Sequence, residues 1–290
     1  MAEVLELVKY QGLGNDFLVL VDVEGRRPLS AQLARAACDR HRGFGADGLL
    51  RASLAGAEGA GGEGRLASHA GRGWASQTLR FELRNADGSE AEMSGNGLRC
   101  LVHAAIDAGV LEAGPGDSFG ALTPVGTRQV WVRELRDGWM WASTEMGVPK
   151  VADGPAACNV DDAAVFVDVG NPHLVVLGPD PGRTDVAGLG KALSEQHGKA
   201  TGGINVEFVT LGPGRDVLTM RVWERGVGET EACGTGSVAA AAAVARLGRV
   251  GRKVTVRQPG GEVEVELRPD GAAVLSGPSV RVGRCTLELA

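Results

Sequence analysis

The sequence predicts an α/β (α+β) protein of two pseudo-symmetric lobes, each a curved mixed sheet or barrel wrapped around one central helix. Three observations predict it. First, a glycine-flanked turn recurs: MSGNG (Met93 to Gly97) and ACGTG (Ala232 to Gly236) coincide 139 residues apart, which sets Ser94 opposite Cys233 and Glu90 opposite Glu229. Second, GNDF (Gly14 to Phe17) matches GNPH (Gly170 to His173) at an offset of 156, and GADG around Asp47 resembles GGIN around Asn205 at 158, in the same order. Third, each half reads as strands, then a helix, then more strands.

In chain order, Val4 to Tyr10 and Phe17 to Asp22 are β-branched or alternating runs bounded by turn residues, and read as strands. Leu29 to His41 opens after a proline and ends near Gly43, as a capped helix does. Ala52 to Gly73 is rich in glycine and alanine, accounts for the shrinking offsets, and reads as a long surface loop. Leu79 to Leu83 and Gln129 to Glu134 are further strands on either side of a helix over Asn96 to Ala108. The second half repeats this with strands at Val165 to Val169, Leu174 to Leu177, Val206 to Thr210, Leu218 to Trp223 and Val254 to Val256, and a helix over Thr235 to Leu247. Both helices that follow a G-x-G are rich in Ala, Val and Leu, so a sheet can wrap them closely. A last strand around Val280 to Leu287 returns to the first lobe, giving domains of residues 1–145 plus 278–290 and of residues 146–277.

Composition excludes several classes. With 43% hydrophobic and 23% charged residues over 290, the chain is neither disordered nor fibrous. A net charge of -6 without a basic cluster gives no footprint for nucleic acid or an anionic membrane, leaving small molecules as partners. The longest small-apolar run, Val238 to Ala245, is well short of the ~18 residues of a membrane span. The start, MAEVLELVKY, has no secretory pattern, so the expected location is cytoplasmic. Cys38, Cys100, Cys158, Cys233 and Cys285 are odd in number and include no C-x-x-C, which argues against a disulfide framework and a zinc site; no metal is expected. GLGNDF lacks the third glycine of a dinucleotide site, and no lysine lies in a pyridoxal-type motif.

Cys233 carries the chemistry. It stands just before a predicted helix in E-x-A-C-G-T-G, where backbone amides and the helix dipole stabilise a thiolate or a substrate carboxylate. A lone cysteine at a tight turn is more often structural. The mirrored motif reverses that reading, because a repeated glycine-flanked small polar residue is a poor way to fill a core. Two like lobes would set the two groups face to face across a cleft. That arrangement suits inversion at carbon, in which one group takes an α-proton and the other returns one.

KYQGLGNDF (Lys9 to Phe17), HRGFGADG (His41 to Gly48), RNADGSEAEMSGNGLRC (Arg84 to Cys100), GNPH, GGINVEF (Gly202 to Phe208) and WERGVGETEACGTG (Trp223 to Gly236) together resemble the diaminopimelate epimerase family. The resemblance implies a cofactor-independent isomerase that interconverts LL- and meso-2,6-diaminopimelate by a two-base route, in lysine and peptidoglycan synthesis. It also implies a homodimer. By motif, Cys233 matches one catalytic cysteine of the family, and Ser94 stands where the other belongs; Cys100 matches a non-catalytic position. The resemblance assigns Asn15, Asn85, Asn171 and Asn205 to the substrate's amino and carboxylate groups. It gives Gly95, Asn96, Gly234 and Thr235 the role of offering backbone amides to the reacting carboxylate. Glu224 and Arg225 match a substrate-contacting pair, and His173 a position near the thiols. Gly48 stands where many members have Gln, while Asp16 and Asp47 read as turn stabilisers. Two alternatives remain open from the residues: a proline- or hydroxyproline-type racemase or dehydratase of the same fold, and a catalytically impaired amino-acid-binding homologue. The NADGSE and ERGVGET stretches favour the epimerase.

Overall fold

The computed structural model describes residues 3–55, 78–91, 93–153, 163–178, 180–200 and 202–289. The chain divides into two compact units, one of Met1–Gly12, Asp16–Thr144 and Pro278–Ala290, the other of Leu13–Asn15 and Glu145–Gly277.

The first unit contains β1 (Glu3–Gly12), β2 (Asn15–Val21), α1 (Ala31–Cys38), β3 (Gly48–Leu54), β4 (Thr78–Asn85), β5 (Glu90–Ala91), α2 (Gly95–Asp107), β6 (Ser118–Thr123), β7 (Gly126–Arg136) and β8 (Trp139–Gly147). The second contains β9 (Lys150–Asp153), β10 (Ala164–Asp168), β11 (Pro172–Leu177), α3 (Val186–His197), β12 (Asn205–Leu211), β13 (Val217–Glu224), β14 (Gly228–Thr230), α4 (Gly234–Arg246), β15 (Lys253–Gln258) and β16 (Gly261–Leu267). The final strand, β17 (Ala273–Leu289), pairs antiparallel with β16 through Ala273–Ser276 and with β1 through Val280–Leu289.

The duplication seen in the motifs extends to the hydrogen-bond pattern. In the first unit β2 and β3 pair in parallel across α1, and β4 and β6 pair in parallel across β5 and α2. In the second, β11 and β12 pair in parallel across α3, and β13 and β15 across β14 and α4. Among the described residues the first unit's pairings run β1, β2, β3, β4, β6, β7, β8, β17 and back to β1, a closed circuit. The second unit's run from β9 through β10, β11, β12, β13, β15 and β16 to β17.

Each sheet wraps the helix predicted to be central. Leu98, Leu101, Val102 and Ala105 of α2 pack into one core with Phe17, Leu50, Phe81, Phe119 and Val130. Around α4 lie β9, β10, β11, β12, β13, β15 and β16, and Val238 to Val244 are buried throughout. An apolar helix enclosed on all sides needs short side chains if strands are to approach it, which is why its middle is a run of alanines.

The structure amends several expectations. The helix expected over Leu29 to His41 forms only as α1, since Ser30 caps it by accepting the Leu33 amide and the backbone is already extended at Asp39. The surface-loop reading of Ala52 to Gly73 fails at its start, where Ala52 to Leu54 complete β3; residues 56–77 lie outside those described. Leu13 to Asn15 group with the second unit. Gly14 adopts φ +85°, and a Cβ there would collide with the Glu231 carboxylate.

Candidate active site

Ser94 and Cys233 are the N-caps of α2 and α4. Both are extended, with φ/ψ of -146°/121° and -128°/117°, and both side chains accept the amide hydrogen three residues on. Ser94 Oγ accepts from Gly97 N at 3.0 Å, and Cys233 Sγ from Gly236 N at 3.3 Å. Behind them, the amides of Gly95 and Asn96 in α2 and of Gly234 and Thr235 in α4 belong to first turns that lack intrahelical acceptors and so favour an anion. A hairpin leads into each helix: Arg84 pairs with Glu90 in the NADGSE stretch, and Glu224 with Gly228 in ERGVGET.

In the second unit several of the predicted residues are joined by hydrogen bonds. Thr235 Oγ1 lies 3.4 Å from Cys233 Sγ, and Asn171 Nδ2 donates to Thr235 Oγ1 at 3.5 Å. His173 holds Asn171 Oδ1 at 2.9 Å through Nε2 and Glu207 Oε1 at 2.7 Å through Nδ1. Asn205 is turned inward, its Oδ1 accepting the Arg225 backbone amide at 2.8 Å, while Arg225 itself is exposed. Thr230 Oγ1 donates to Glu224 Oε1 at 2.5 Å. Burial pushes the Glu224 carboxyl above its ordinary value. The Cys233 thiol, 5% exposed, is pushed well above its ordinary value, first by burial and then by the charges of Glu224 and Glu207; donors from Thr235 and Gly236 act in the opposite sense.

In the first unit, Ser94 is half-buried and Asn85 Nδ2 donates to Ser89 Oγ at 3.0 Å. The Asn96 side chain points into the core, where its Oδ1 accepts from Arg99 Nη2 at 2.5 Å, so Asn96 can serve a ligand only through its backbone. Cys100 is fully buried within α2, beside Ser279 Oγ at 3.6 Å. Asn15 stands at the start of β2, next to a knot of charges. Asp16 binds Lys9 at 2.7 Å and Arg40 at 2.9 Å, and Arg40 also binds Asp47 at 2.9 Å. The Asp16 and Asp47 amides each donate to the other's carboxylate, so these two residues do more than shape separate turns.

Three residues in the second unit's network were not singled out by sequence reasoning. Gln258 Oε1 accepts the Cys233 amide at 2.8 Å, Thr230 binds Glu224, and Glu207 anchors His173. Only Glu207 left a signal, as the lone charge in the apolar run INVEFV.

A family model described as diaminopimelate epimerase matches residues 7–136 and 165–282. A protein of Corynebacterium aurimucosum named diaminopimelate epimerase is 42% identical over 282 residues, 95% of this chain and 96% of its own. Its namesake in Mycobacterium ulcerans is 40% identical over 279 residues, 94% of this chain and 93% of its own. Among solved structures, a hydroxyproline epimerase from Agrobacterium vitis superposes with a TM-score of 0.68 at 17% identity, over 98% of this chain and 91% of that one. A phenazine biosynthesis protein of the PhzF family from Bacillus anthracis superposes with a TM-score of 0.71 at 14% identity, over 99% of this chain and 100% of that one. These two structural likenesses establish the fold, and the sequence matches over nearly the whole length establish more: the chain belongs to the diaminopimelate epimerase family.

Proposed function

We propose that the chain interconverts LL- and meso-2,6-diaminopimelate by removing the α-proton from one face of the reacting carbon and returning one to the other. Cys233 is the thiol acid/base, and Ser94 is its counterpart on the other face. The observation that carries this reading is the identical placement of the two side chains as N-caps of α4 and α2. The amides of Gly234 and Thr235, with those of Gly95 and Asn96, hold the reacting carboxylate and stabilise the charge that develops as the proton leaves. Asn15, Asn85, Asn171 and Asn205 address the amino and carboxylate groups, since an amide both donates and accepts. Arg225 takes the distal carboxylate, Glu224 an ammonium, and His173 supports the thiol side. The hydroxyl of Ser94 is a far weaker acid than a thiol, so proton transfer on its side is the slow half of the reaction. No cofactor is used. The enzyme works in the cytoplasm as a homodimer, as the resemblance implies, on an intermediate of lysine and peptidoglycan precursor synthesis.

The test is incubation with each isomer in deuterated water. Label at the α-carbon together with inversion is the expected result, and Cys233→Ala should abolish both. Exchange that survives in C233A removes Cys233 from the mechanism, and binding with neither exchange nor inversion leaves only an amino-acid-binding protein.

A further inference from the structure

Three contacts lead in one direction from the interior of the second unit to the Cys233 sulfur. His173 Nε2 meets Asn171 Oδ1 at 2.9 Å, Asn171 Nδ2 donates to Thr235 Oγ1 at 3.5 Å, and Thr235 Oγ1 lies 3.4 Å from Cys233 Sγ. On its other side the imidazole meets Glu207 Oε1, 2.7 Å from Nδ1. Each ring nitrogen thus faces an oxygen, so the ring is held from both sides. With His173 donating to its carbonyl, the Asn171 amide is fixed with its NH2 toward Thr235. The Thr235 hydroxyl then accepts from Asn171 and has its own proton free for the sulfur.

Glu207 is what the first unit lacks. The parallel pairings set Phe17 beside Gly48 and His173 beside Asn205, so two residues further along each strand Leu50 is the counterpart of Glu207. Phe17 and Leu50 both belong to the apolar core around α2. The same backbone therefore folds with an apolar pair where the second unit buries a carboxylate and an imidazole. Burial of Glu207 is complete, and its Oε2 has no hydrogen-bond partner among the described residues, an arrangement that costs stability. The carboxylate also sets its neighbour. A Cβ on Gly236, whose amide caps the Cys233 sulfur, would stand 2.7 Å from Glu207 Oε1.

We propose that Glu207 is a positioning residue for Cys233: by anchoring and orienting the His173 ring, it directs a one-way chain of donors through Asn171 and Thr235 to the sulfur. The proposal rests on the reading of Cys233 as the acid/base, but its test requires no turnover. The groups acting on the sulfur are Glu224 of β13, whose carboxylate takes a hydrogen bond from the thiol, the charge of Glu207 of β12, and Thr235 and the Gly236 amide of α4; Asn171 and His173, before and on β11, reach it only through Thr235, and Gln258 of β15 accepts the backbone amide. Two effects of Glu207 compete. Its negative charge acting through space opposes ionisation of the thiol, whereas its action through the chain favours it.

The sign of one measurement therefore decides. In the full-length protein, alkylation of Cys233 by iodoacetamide is followed against pH and resolved at the Cys233 peptide by mass spectrometry. Glu207→Gln should raise the apparent midpoint by about one pH unit, so that the rate at pH 8 falls roughly tenfold. A midpoint that falls or stays in place overturns the proposal. Thr235→Val keeps the Glu207 charge and cuts the last link. It should give the same upward shift, and its absence is equally fatal; if E207Q does not fold, Glu207→Asp, which keeps the charge but draws it back from His173, should raise the midpoint as well, and a midpoint that stays in place overturns the proposal. Loss of isotope exchange in C233A is read separately, so an inessential Cys233 and a chain that does not poise it give different results.

Discussion

Cys233 and Ser94 hold the same post on their helices, each accepting the amide hydrogen of the residue three positions on, Gly236 at 3.3 Å and Gly97 at 3.0 Å. An oxygen is the stronger acceptor and the better helix cap, whereas a sulfur is the better acid and base near neutrality. At position 94 the side chain favours the cap; at 233 it favours the chemistry.

Ser94→Cys should therefore move two quantities in opposite directions. Epimerisation should rise by roughly 10²–10⁴-fold, the range a general acid or base supplies. The weaker cap should lower stability by up to about 1 kcal/mol. Both are measurable on one preparation, by isomer interconversion and by thermal denaturation. An unchanged rate would mean that the Ser94 hydroxyl is already competent.

The buried thiols set two opposed pH dependences. Because Cys233 is held well above its ordinary value, its thiolate fraction, and with it kcat/KM where it acts as base, should rise about tenfold per pH unit between about pH 7 and 9. Stability should move the other way. Burial first of all pushes Cys100 up to about 11 and Cys38 up to about 12. Between the unfolded value near 9.0 and those folded values the folded chain holds protons that the unfolded chain has released. Stability is thus complete below the unfolded thiol value near 9.0 and is lost as pH rises toward the folded ones, by about 1 kcal/mol per pH unit for each thiol. Urea midpoints at pH 8 and 10 test this, and Cys100→Ala should flatten the slope. A flat wild-type profile would rule it out.

How much of this was legible in the sequence depends on how local the signal was. The duplication, both central helices and the paired caps were readable, because glycine-flanked turns followed by alanine-rich runs announce a helix start without help from distant residues. The strand β3 was not, since Gly48–Leu54 is buried on both faces and its second face carries Arg51 and Ser53, whose burial is satisfied only by distant partners such as Glu82. Nor was α3, whose Asp185 cap is conventional but whose body carries two glycines and few apolar anchors. The offset of 158 between GADG and GGIN is also revised. Parallel pairing places Gly48, not Asp47, in the position of Asn205, as the two tetrapeptides already do when set end to end, Gly45 over Gly202 and Gly48 over Asn205 at 157. Glu207 stood in a quoted motif, but its partner His173 lies 34 residues earlier, and nothing local links the two.

That revised register gives Gly48 a structural reason for being glycine. A Cβ there would stand 2.8 Å from the Arg84 carbonyl oxygen and 2.8 Å from Leu83 Cδ1. In this chain the space that a glutamine would need is filled by β4. Gly48→Gln should consequently cost about 1–3 kcal/mol through overpacking, with no gain in substrate affinity. Tighter substrate binding in a variant of unchanged melting temperature would contradict this.

Asp16 follows Asn15 in the chain and holds Lys9 and Arg40, so its removal should be felt both in stability and in substrate binding. Burial pushes its carboxyl up, but hydrogen bonds from Arg40 and Lys9, together with their charges, outweigh burial and hold it below the ordinary value of 3.8. A carboxylate with a depressed folded value stabilises the fold above its unfolded value, and that contribution is lost as pH falls below about 4 through the folded one. Asp16→Asn should cost about 2 kcal/mol at pH 7, less than a fully buried pair because the Arg40 side chain is 55% exposed. The gap between wild type and D16N should then narrow as the pH is lowered from 7 to 3. Because Asp16 and Asp47 bind each other's amides beside Asn15, KM should rise more than kcat falls. Denaturation curves that stay equally separated from pH 7 to pH 3 would show that the Asp16 charge is not what the knot depends on.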